Sequence, residues 1–122
     1  MTKQALNPPC HRNGDRPRKM YLAGPMSGIP ELNFPAFHAE AARLRGMGYQ
    51  IVNPAELNPT SSDWLECMRI DIRELVMCDG VLVMPGWEQS RGARLEHDIA
   101  RGLGLTVMPC SDAPPVAEGV GA

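Results

Sequence analysis

The chain has 122 residues and a formal net charge of -2 at pH 7, which suits one hydrophobic core and is too short for two domains. Its near-neutral charge and the lack of a Lys/Arg stripe disfavour DNA or another polyanion as the main partner, though not a small nucleotide. No apolar run reaches the length of a membrane span, and the four cysteines have neither CxxC nor metal-ligand spacing. We therefore expect a reduced, cytoplasmic protein that uses no membrane, metal or nucleic acid.

Predicted strands and helices alternate along the chain. Residues 1–18 and 111–122 lack apolar periodicity and are predicted to be disordered tails around one domain at 19–110. In that domain KMYLAG forms the first strand, a helix capped by Asn33 runs through Arg45, and YQIVNP forms the second strand.

The second half of the domain repeats this alternation. The loop AELNPT leads to a helix that Ser61 or Ser62 caps, and the strand GVLVMP, a helix from Arg91 and the strand LTVMP follow. Strands that are apolar on both faces and alternate with helices predict a doubly wound parallel sheet of flavodoxin-like or Rossmann-like build, in a single α/β domain. Ligands of such folds bind at the carboxyl ends of the strands.

An acidic residue, Glu96, lies on the apolar side of the last helix. An ionised glutamate among core residues costs several kcal/mol unless it is paired or lies in a cleft. Glu96 is therefore either an ion-pair partner of an arginine such as Arg69 or Arg73, or a functional carboxylate. At about 100° per residue, it shares one arc with Leu95, Ile99, Gly92, Leu103 and Ala100.

Other polar residues are predicted to meet at the same edge. Asp71 borders the apolar stripe of the preceding helix, where pairing with an arginine is the alternative, and Asp79 begins the third strand, where a turn role is the alternative. The amides of residues 90–93 form a positive helix end, and a small-residue loop follows the first strand. Together the two loops are predicted to bind one nucleotide-sized ligand. The first-strand loop consists of Gly24, Pro25, Met26, Ser27 and Gly28.

Three segments, YLAGPMSG, DIRELVMCDGVLVM and SRGARLEHDIARGLG, resemble in this order the nucleoside 2-deoxyribosyltransferase family and its relatives that hydrolyse nucleoside 5'-monophosphates. The resemblance covers most of residues 19–107. It implies that Glu96 is the nucleophile, in a G-x-x-x-E segment, and that Tyr21 lies near it. It also implies that Asp71 handles the leaving base, with Asp79 as a neighbouring candidate.

The resemblance also implies a substrate preference, which depends on the residue at the start of the Glu96 helix. Ser90 stands where the transferases have an aspartate that holds the sugar 5'-hydroxyl, and the monophosphate hydrolases are similar to this chain in having a serine. An aspartate would repel a phosphate, whereas a serine at a helix N-terminus donates a hydrogen bond. Ser90 therefore favours a phosphorylated substrate, and Arg91 and Gly92 complete the predicted substrate loop.

These interpretations predict an enzyme that cleaves or transfers the N-glycosidic bond of a nucleoside 5'-monophosphate or nucleoside. It would act through a glycosyl ester on Glu96, as a homo-oligomer and without a cofactor. A non-catalytic nucleotide-sensing domain of the same fold stays open. A flavin- or dinucleotide-binding protein is disfavoured because GPMSGIP is not G-x-G-x-x-G and no acidic residue ends the second strand.

Overall fold

Four parallel strands form the centre of the domain in the computed structural model, which describes residues 18–57 and 63–116. Their order across the sheet is β2-β1-β3-β4, so the predicted doubly wound α/β class is confirmed. The chain turns to opposite sides after β1 and β3, which places the switch point of the topology between these two strands. The strands are β1 (Lys19–Ala23), β2 (Gln50–Val52), β3 (Gly80–Val83) and β4 (Thr106–Pro109).

Helices cover both faces of the sheet. Because successive strand residues point to opposite faces, Met20 and Leu22 of β1 pack with the first helix, whereas Tyr21 and Ala23 pack on the other face. No helix within the described ranges has the length and apolar content to cross a membrane. The helices are α1 (Phe34–Gly46), α2 (Pro54–Leu57), α3 (Trp64–Leu75) and α4 (Arg91–Gly102).

The loops that follow β1 and β3 touch each other. The amide of Met84 donates a hydrogen bond of 2.8 Å to the carbonyl of Ala23. A Cβ atom placed on Gly24 would lie 2.9 Å from the Cβ of Met84, a separation that side chains do not tolerate. Only glycine therefore fits at the point where the chain leaves β1.

Two helix starts differ from the sequence prediction. Asp63 caps α3, since its carboxylate accepts hydrogen bonds from the amides of Leu65 and Glu66. Ser61 and Ser62, the predicted caps, lie outside the described residues. Residues 55–57 of the predicted loop AELNPT belong to the short helix α2, which begins where the side chain of Asn53 accepts a hydrogen bond of 3.0 Å from the amide of Ala55.

The start of α1 also differs from its prediction. Asn33 precedes the helix, but its side chain donates a hydrogen bond of 3.0 Å to the carbonyl of Pro25 and caps no helix amide. Glu31, Leu32 and Asn33 have φ values of 57°, 53° and 61°. Three successive non-glycine residues in the left-handed region are strained, because the Cβ atom crowds the following carbonyl oxygen.

The buried stripe of α4 is narrower than the predicted arc. Ala93, Glu96 and Ala100 are buried, whereas Leu95 and Leu103 are 40% and 57% exposed. Residues three and four apart lie on one helix face, and the edges of the wider arc turn toward solvent. The arc therefore located Glu96 correctly and its two leucines wrongly.

The predicted carboxyl-terminal tail is wrong for residues 111–116. Ala113 is buried in the core cluster that includes α1. The Tyr49 hydroxyl donates to the carbonyl of Pro114, and the Val116 amide donates a hydrogen bond of 2.9 Å to the carbonyl of Met47. Residues 117–122, and residues 1–17 of the other predicted tail, lie outside the described residues.

Candidate functional site

A cavity of about 160 Å³ lies at the carboxyl edge of the sheet, between the loop after β1 and the start of α4. Doubly wound folds bind ligands at this edge. The loop after β1, the first half of α3 and the start of α4 each contribute to its wall. The predicted position of the site is therefore the position of a real cavity. Its polar lining residues are Ser27, Asp71, Ser90 and Glu96.

The centre of the site is a hydrogen bond between a strand and a helix. The Tyr21 hydroxyl donates to Oε2 of Glu96 over 2.8 Å. Tyr21 has no exposed surface, and Glu96 is 5% exposed. Successive side chains of β1 point to opposite faces of the sheet, and Tyr21 points to the face that α4 covers. Its hydroxyl therefore reaches Glu96 from the sheet.

Asp71 adds a second buried carboxyl group to this hydrogen-bonded pair. It is 6% exposed, lines the same cavity and lies between Met68 and Leu75 on the buried stripe of α3. Glu96 has the equivalent place on α4, between Ala93 and Ala100. Each carboxyl group therefore occupies a position that a packing residue would normally take.

Burial controls the ionisation of this cluster. Burial and then the charge of Asp71 raise the pKa of Glu96 to about 8, against the opposing effect of the Tyr21 hydrogen bond. Burial also raises the pKa of Tyr21, together with the charges of Glu96 and Asp71 and hydrogen bonds to both. Tyr21 is hydrogen-bonded to both carboxyl groups, so the charge on each carboxyl group affects the ionisation of Tyr21, and the charge of Asp71 affects that of Glu96.

This arrangement answers the question that the sequence left open for Glu96. Arg69 and Arg73 are exposed on α3, and neither is among the groups that shift the pKa of Glu96. Its described hydrogen-bond partner is Tyr21. The ion-pair interpretation of Glu96 is therefore wrong, and the carboxyl group faces a cavity.

The start of α4 contributes the polar rim of the cavity. Ser90 is the cap of α4, and its Oγ accepts a hydrogen bond of 3.2 Å from the amide of Ala93. That bond uses an oxygen lone pair and leaves the hydroxyl hydrogen free to be donated to a ligand. Gly92 lines the cavity as well, and a Cβ atom there would lie 3.1 Å from Sδ of Met68.

The first-strand loop lies only partly in the site. Gly24, Met26 and Ser27 line the cavity, whereas Pro25 and Gly28 do not. The carbonyl of Pro25 accepts the hydrogen bond from Asn33, and Gly28 has a φ of 83° in the turn. Pro25 and Gly28 therefore shape the loop, because a tight turn restricts the backbone conformation of its residues.

Asp79 lies at the opposite edge of the sheet from the cavity. It precedes β3, and its carboxylate accepts a hydrogen bond of 2.9 Å from the amide of Lys19, the first residue of β1. Parallel strands have their amino ends at one edge and their carboxyl ends at the other. The predicted substrate contact of Asp79 is therefore wrong, and the alternative role in a turn that begins the strand fits its position.

Sequence reasoning predicted Met26 as a residue of the substrate loop but missed the rest of the apolar wall of the cavity. An apolar side chain that faces a cavity has the same helical periodicity as one that packs in the core, so the pattern does not distinguish them. The available signal was the position of Trp64 at the start of α3, near the edge of the sheet where a ligand is predicted. The missed residues are Leu32, Phe37, Pro54, Trp64, Cys67, Met68 and Ala93.

The chain was also compared with known proteins. Residues 18–109 match the model of a family described as a domain of unknown function, DUF4406. No curated protein matches the chain. Because the family model spans most of its length, the protein belongs to the DUF4406 family.

Proposed function

We propose that the protein cleaves or transfers the N-glycosidic bond of a nucleoside 5'-monophosphate or nucleoside, with Glu96 as the nucleophile. The observation that carries this proposal is the 2.8 Å hydrogen bond from Tyr21 to Glu96 in a cavity that Asp71 also lines. Two carboxyl groups at one cavity are the machinery of glycoside cleavage with a covalent intermediate. The resemblance to nucleoside 2-deoxyribosyltransferases and monophosphate hydrolases supports the nucleoside class.

In the first step an oxygen of Glu96 attacks the anomeric carbon and forms an ester. The C–N bond to the base breaks, its electron pair moves to the base nitrogen, and the Asp71 carboxyl group gives that nitrogen its proton. The hydrogen bond from Tyr21 occupies Oε2 of Glu96. The other carboxylate oxygen is therefore the one that attacks.

In the second step water or another base attacks the same carbon. When the attacker is water, the Asp71 carboxylate accepts its proton and the ester bond breaks toward Glu96. The sugar then leaves as the free 5-phosphate or free sugar, and both carboxyl groups regain their starting protonation. When the attacker is a second base, Asp71 accepts its N–H proton, the ester bond breaks toward Glu96 in the same way, and the product is a new nucleoside or nucleotide.

The productive form of the site needs its proton on Asp71. A pKa of about 8 for Glu96 means that this residue holds the proton in much of the ligand-free protein at neutral pH. Because the pair is coupled, transfer of that proton to Asp71 creates the reactive state without any exchange with solvent. Positive charge that develops on the anomeric carbon would favour this state, since it stabilises an ionised Glu96.

The same raised pKa favours one alternative, a nucleotide-binding domain without catalysis. A neutral Glu96 would act as a hydrogen-bond donor to a ligand and would not attack it. In that case the cavity would bind a nucleotide and release no base.

The decisive experiment incubates the protein with a panel of nucleosides and 5'-monophosphates and measures free base by chromatography. We expect base release by the wild type and a loss of several orders of magnitude in E96Q. D98N is the matched control, because Asp98 is an exposed acid on the same helix. A 2'-fluoro-arabinosyl nucleotide should leave a sugar-phosphate on Glu96, detected by intact mass and peptide mapping. Nucleotide binding without base release would support the binding domain, and a label on another residue would exclude Glu96 as nucleophile.

A further inference from the structure

Arg91 lies against the face of an aromatic residue at the edge of the cavity. Its guanidinium carbon is 3.9 Å from the ring centroid of Trp64. Trp64 is the first residue of α3 and lines the cavity, and Arg91 is the first residue of α4. A guanidinium group stacked in this way keeps the donors at its edge for a planar or tetrahedral anion.

Among the described residues, no acid forms an ion pair with Arg91. The recorded interaction of Arg91 is the one with Trp64. The first turn of α4 contains no acidic residue. A cation at this end of a helix is unfavourable for the helix dipole, so helix stability does not explain the arginine.

The backbone of Arg91 is fixed between two residues of the cavity wall, Ser90 and Gly92. A Cβ atom on Gly92 would lie 3.6 Å from Nε1 of Trp64 and 3.1 Å from Sδ of Met68. The start of α4 therefore packs closely on the start of α3, and a side chain at Gly92 would crowd Met68. This contact holds Arg91, which is exposed and outside the cavity lining, beside an aromatic residue that does line the cavity.

The spacing along α4 matches the length of a sugar phosphate. Ser90 and Glu96 are separated by about 9 Å along the helix axis, at 1.5 Å per residue. A ribose 5-phosphate whose anomeric carbon meets Glu96 extends over a comparable distance to its phosphate. The phosphate would then lie at the start of α4, beside Ser90 and Arg91.

We propose that Arg91, supported by Trp64, selects a phosphorylated substrate by binding the oxygens of its 5'-phosphate. The inference rests on the proposed function and adds the residue that sets its specificity. Ser90 donates one hydrogen bond but carries no charge, and the buried carboxyl groups of Glu96 and Asp71 repel a dianion when ionised. The guanidinium group supplies the positive charge and a bidentate donor pair that the described residues of the cavity lining lack.

The kinetic test compares kcat/KM for a nucleoside 5'-monophosphate with that for its nucleoside. We expect R91Q to lower this ratio by roughly ten- to a hundredfold, as the loss of a charge-assisted hydrogen bond implies. R91K keeps the charge and loses the fork geometry of the guanidinium group, so its ratio should lie between those of R91Q and the wild type. Arg101 is exposed at the other end of α4, so R101Q is the matched control and should leave the ratio unchanged. An unchanged ratio in R91Q would overturn the proposal.

A binding test needs no turnover. Trp64 and Trp87 are the two tryptophans of the chain, so W87F makes Trp64 the single tryptophan, whose emission can be excited selectively. Ribose 5-phosphate should change its emission, ribose should not, and R91Q in the same background should weaken ribose 5-phosphate binding at least tenfold. Binding lost in R91Q without base release by the wild type would leave the Arg91 assignment standing and remove the proposed reaction. Equal binding in both proteins, or no binding to either, would remove the Arg91 assignment.

Discussion

The hydroxyl of Tyr21 and the carboxyl group of Glu96 are joined by a 2.8 Å hydrogen bond in the interior of the protein. Burial of Glu96 raises its pKa to about 8 from an ordinary value of 4.5. Between these two values the folded protein binds a proton that the unfolded chain has released. The free energy of unfolding must therefore fall as the pH rises through this interval.

The first prediction concerns this pH dependence. E96Q should be more stable than the wild type at alkaline pH, by on the order of a few kcal/mol, and the two should converge near about pH 4.5. Urea denaturation of both proteins across this range measures the difference. In D98N the free energy of unfolding should change with pH as it does in the wild type, because Asp98 is exposed. Parallel stability curves for E96Q and the wild type would mean that Glu96 is ionised at neutral pH.

The second prediction concerns Y21F. The Tyr21 hydrogen bond lowers the pKa of Glu96 against the effect of burial, so its removal should raise that pKa further. If ionised Glu96 is the nucleophile and Asp71 must hold the proton, a higher Glu96 pKa keeps that proton on Glu96. Activity at neutral pH should therefore fall in Y21F, and the decline of kcat/KM at alkaline pH should move to higher pH. The control is Y49F, since Tyr49 bonds to Pro114 outside the cavity. A profile of Y21F that superimposes on that of the wild type would contradict the prediction.

The third prediction concerns S90D. Aspartate is as good a helix cap as serine, so the fold should be retained. A carboxylate beside a bound phosphate costs about 1 to 4 kcal/mol, which should lower the nucleotide-to-nucleoside ratio of kcat/KM by roughly ten- to a thousandfold. S90T keeps the hydroxyl and should keep the ratio closer to that of the wild type. If S90D leaves the ratio unchanged, the first-strand loop becomes the leading phosphate site.

The fourth prediction concerns the segment that packs on Tyr49 and Met47. A chain that ends after Asp112 loses the buried Ala113 and two hydrogen bonds, and it should be less stable by about 2–4 kcal/mol. The control is a chain that ends after Val116, which keeps all of these contacts. Thermal unfolding of the two truncated chains isolates the contribution of the segment. Equal melting temperatures would show that the segment does not stabilise the fold.

The fifth prediction concerns the strained turn before α1. Glu31 has a φ of 57° and an exposed side chain. E31G should raise the melting temperature by a few degrees, since glycine enters the left-handed region without steric cost and part of that gain survives its greater unfolded-state entropy. E31A keeps the Cβ atom and should give no such gain. A lower melting temperature for E31G would show that the turn is not strained at this position.

The sequence predicted the fold well because its main signals are local. Apolar strands such as GVLVMP and amphipathic helices report their own burial pattern, and their alternation leaves few possible topologies. The position of Glu96 within an apolar stripe was visible for the same reason. Exposed edges of that stripe, such as Leu95, were not predictable, because they depend on how far neighbouring elements extend.

Residues of the site that depend on long-range pairing were harder to predict. Asp79 was assigned to the site as a neighbouring candidate to Asp71, although its place at the start of the third strand puts it at the amino edge of a parallel sheet. Residues 111–116 have no periodicity, and only their contacts with Tyr49 and Met47 show that they pack. Periodicity contains no information on those contacts.

The close approach of Gly24 and Met84 has a consequence for how specificity can change in this fold. Because no side chain fits at Gly24, main-chain atoms form that part of the cavity surface. Main-chain atoms persist through most amino-acid replacements, whereas other parts of the wall consist of exchangeable side chains such as Phe37 and Trp64. Replacement of those side chains can therefore change the size of the ligand that fits, while the main-chain surface keeps its shape.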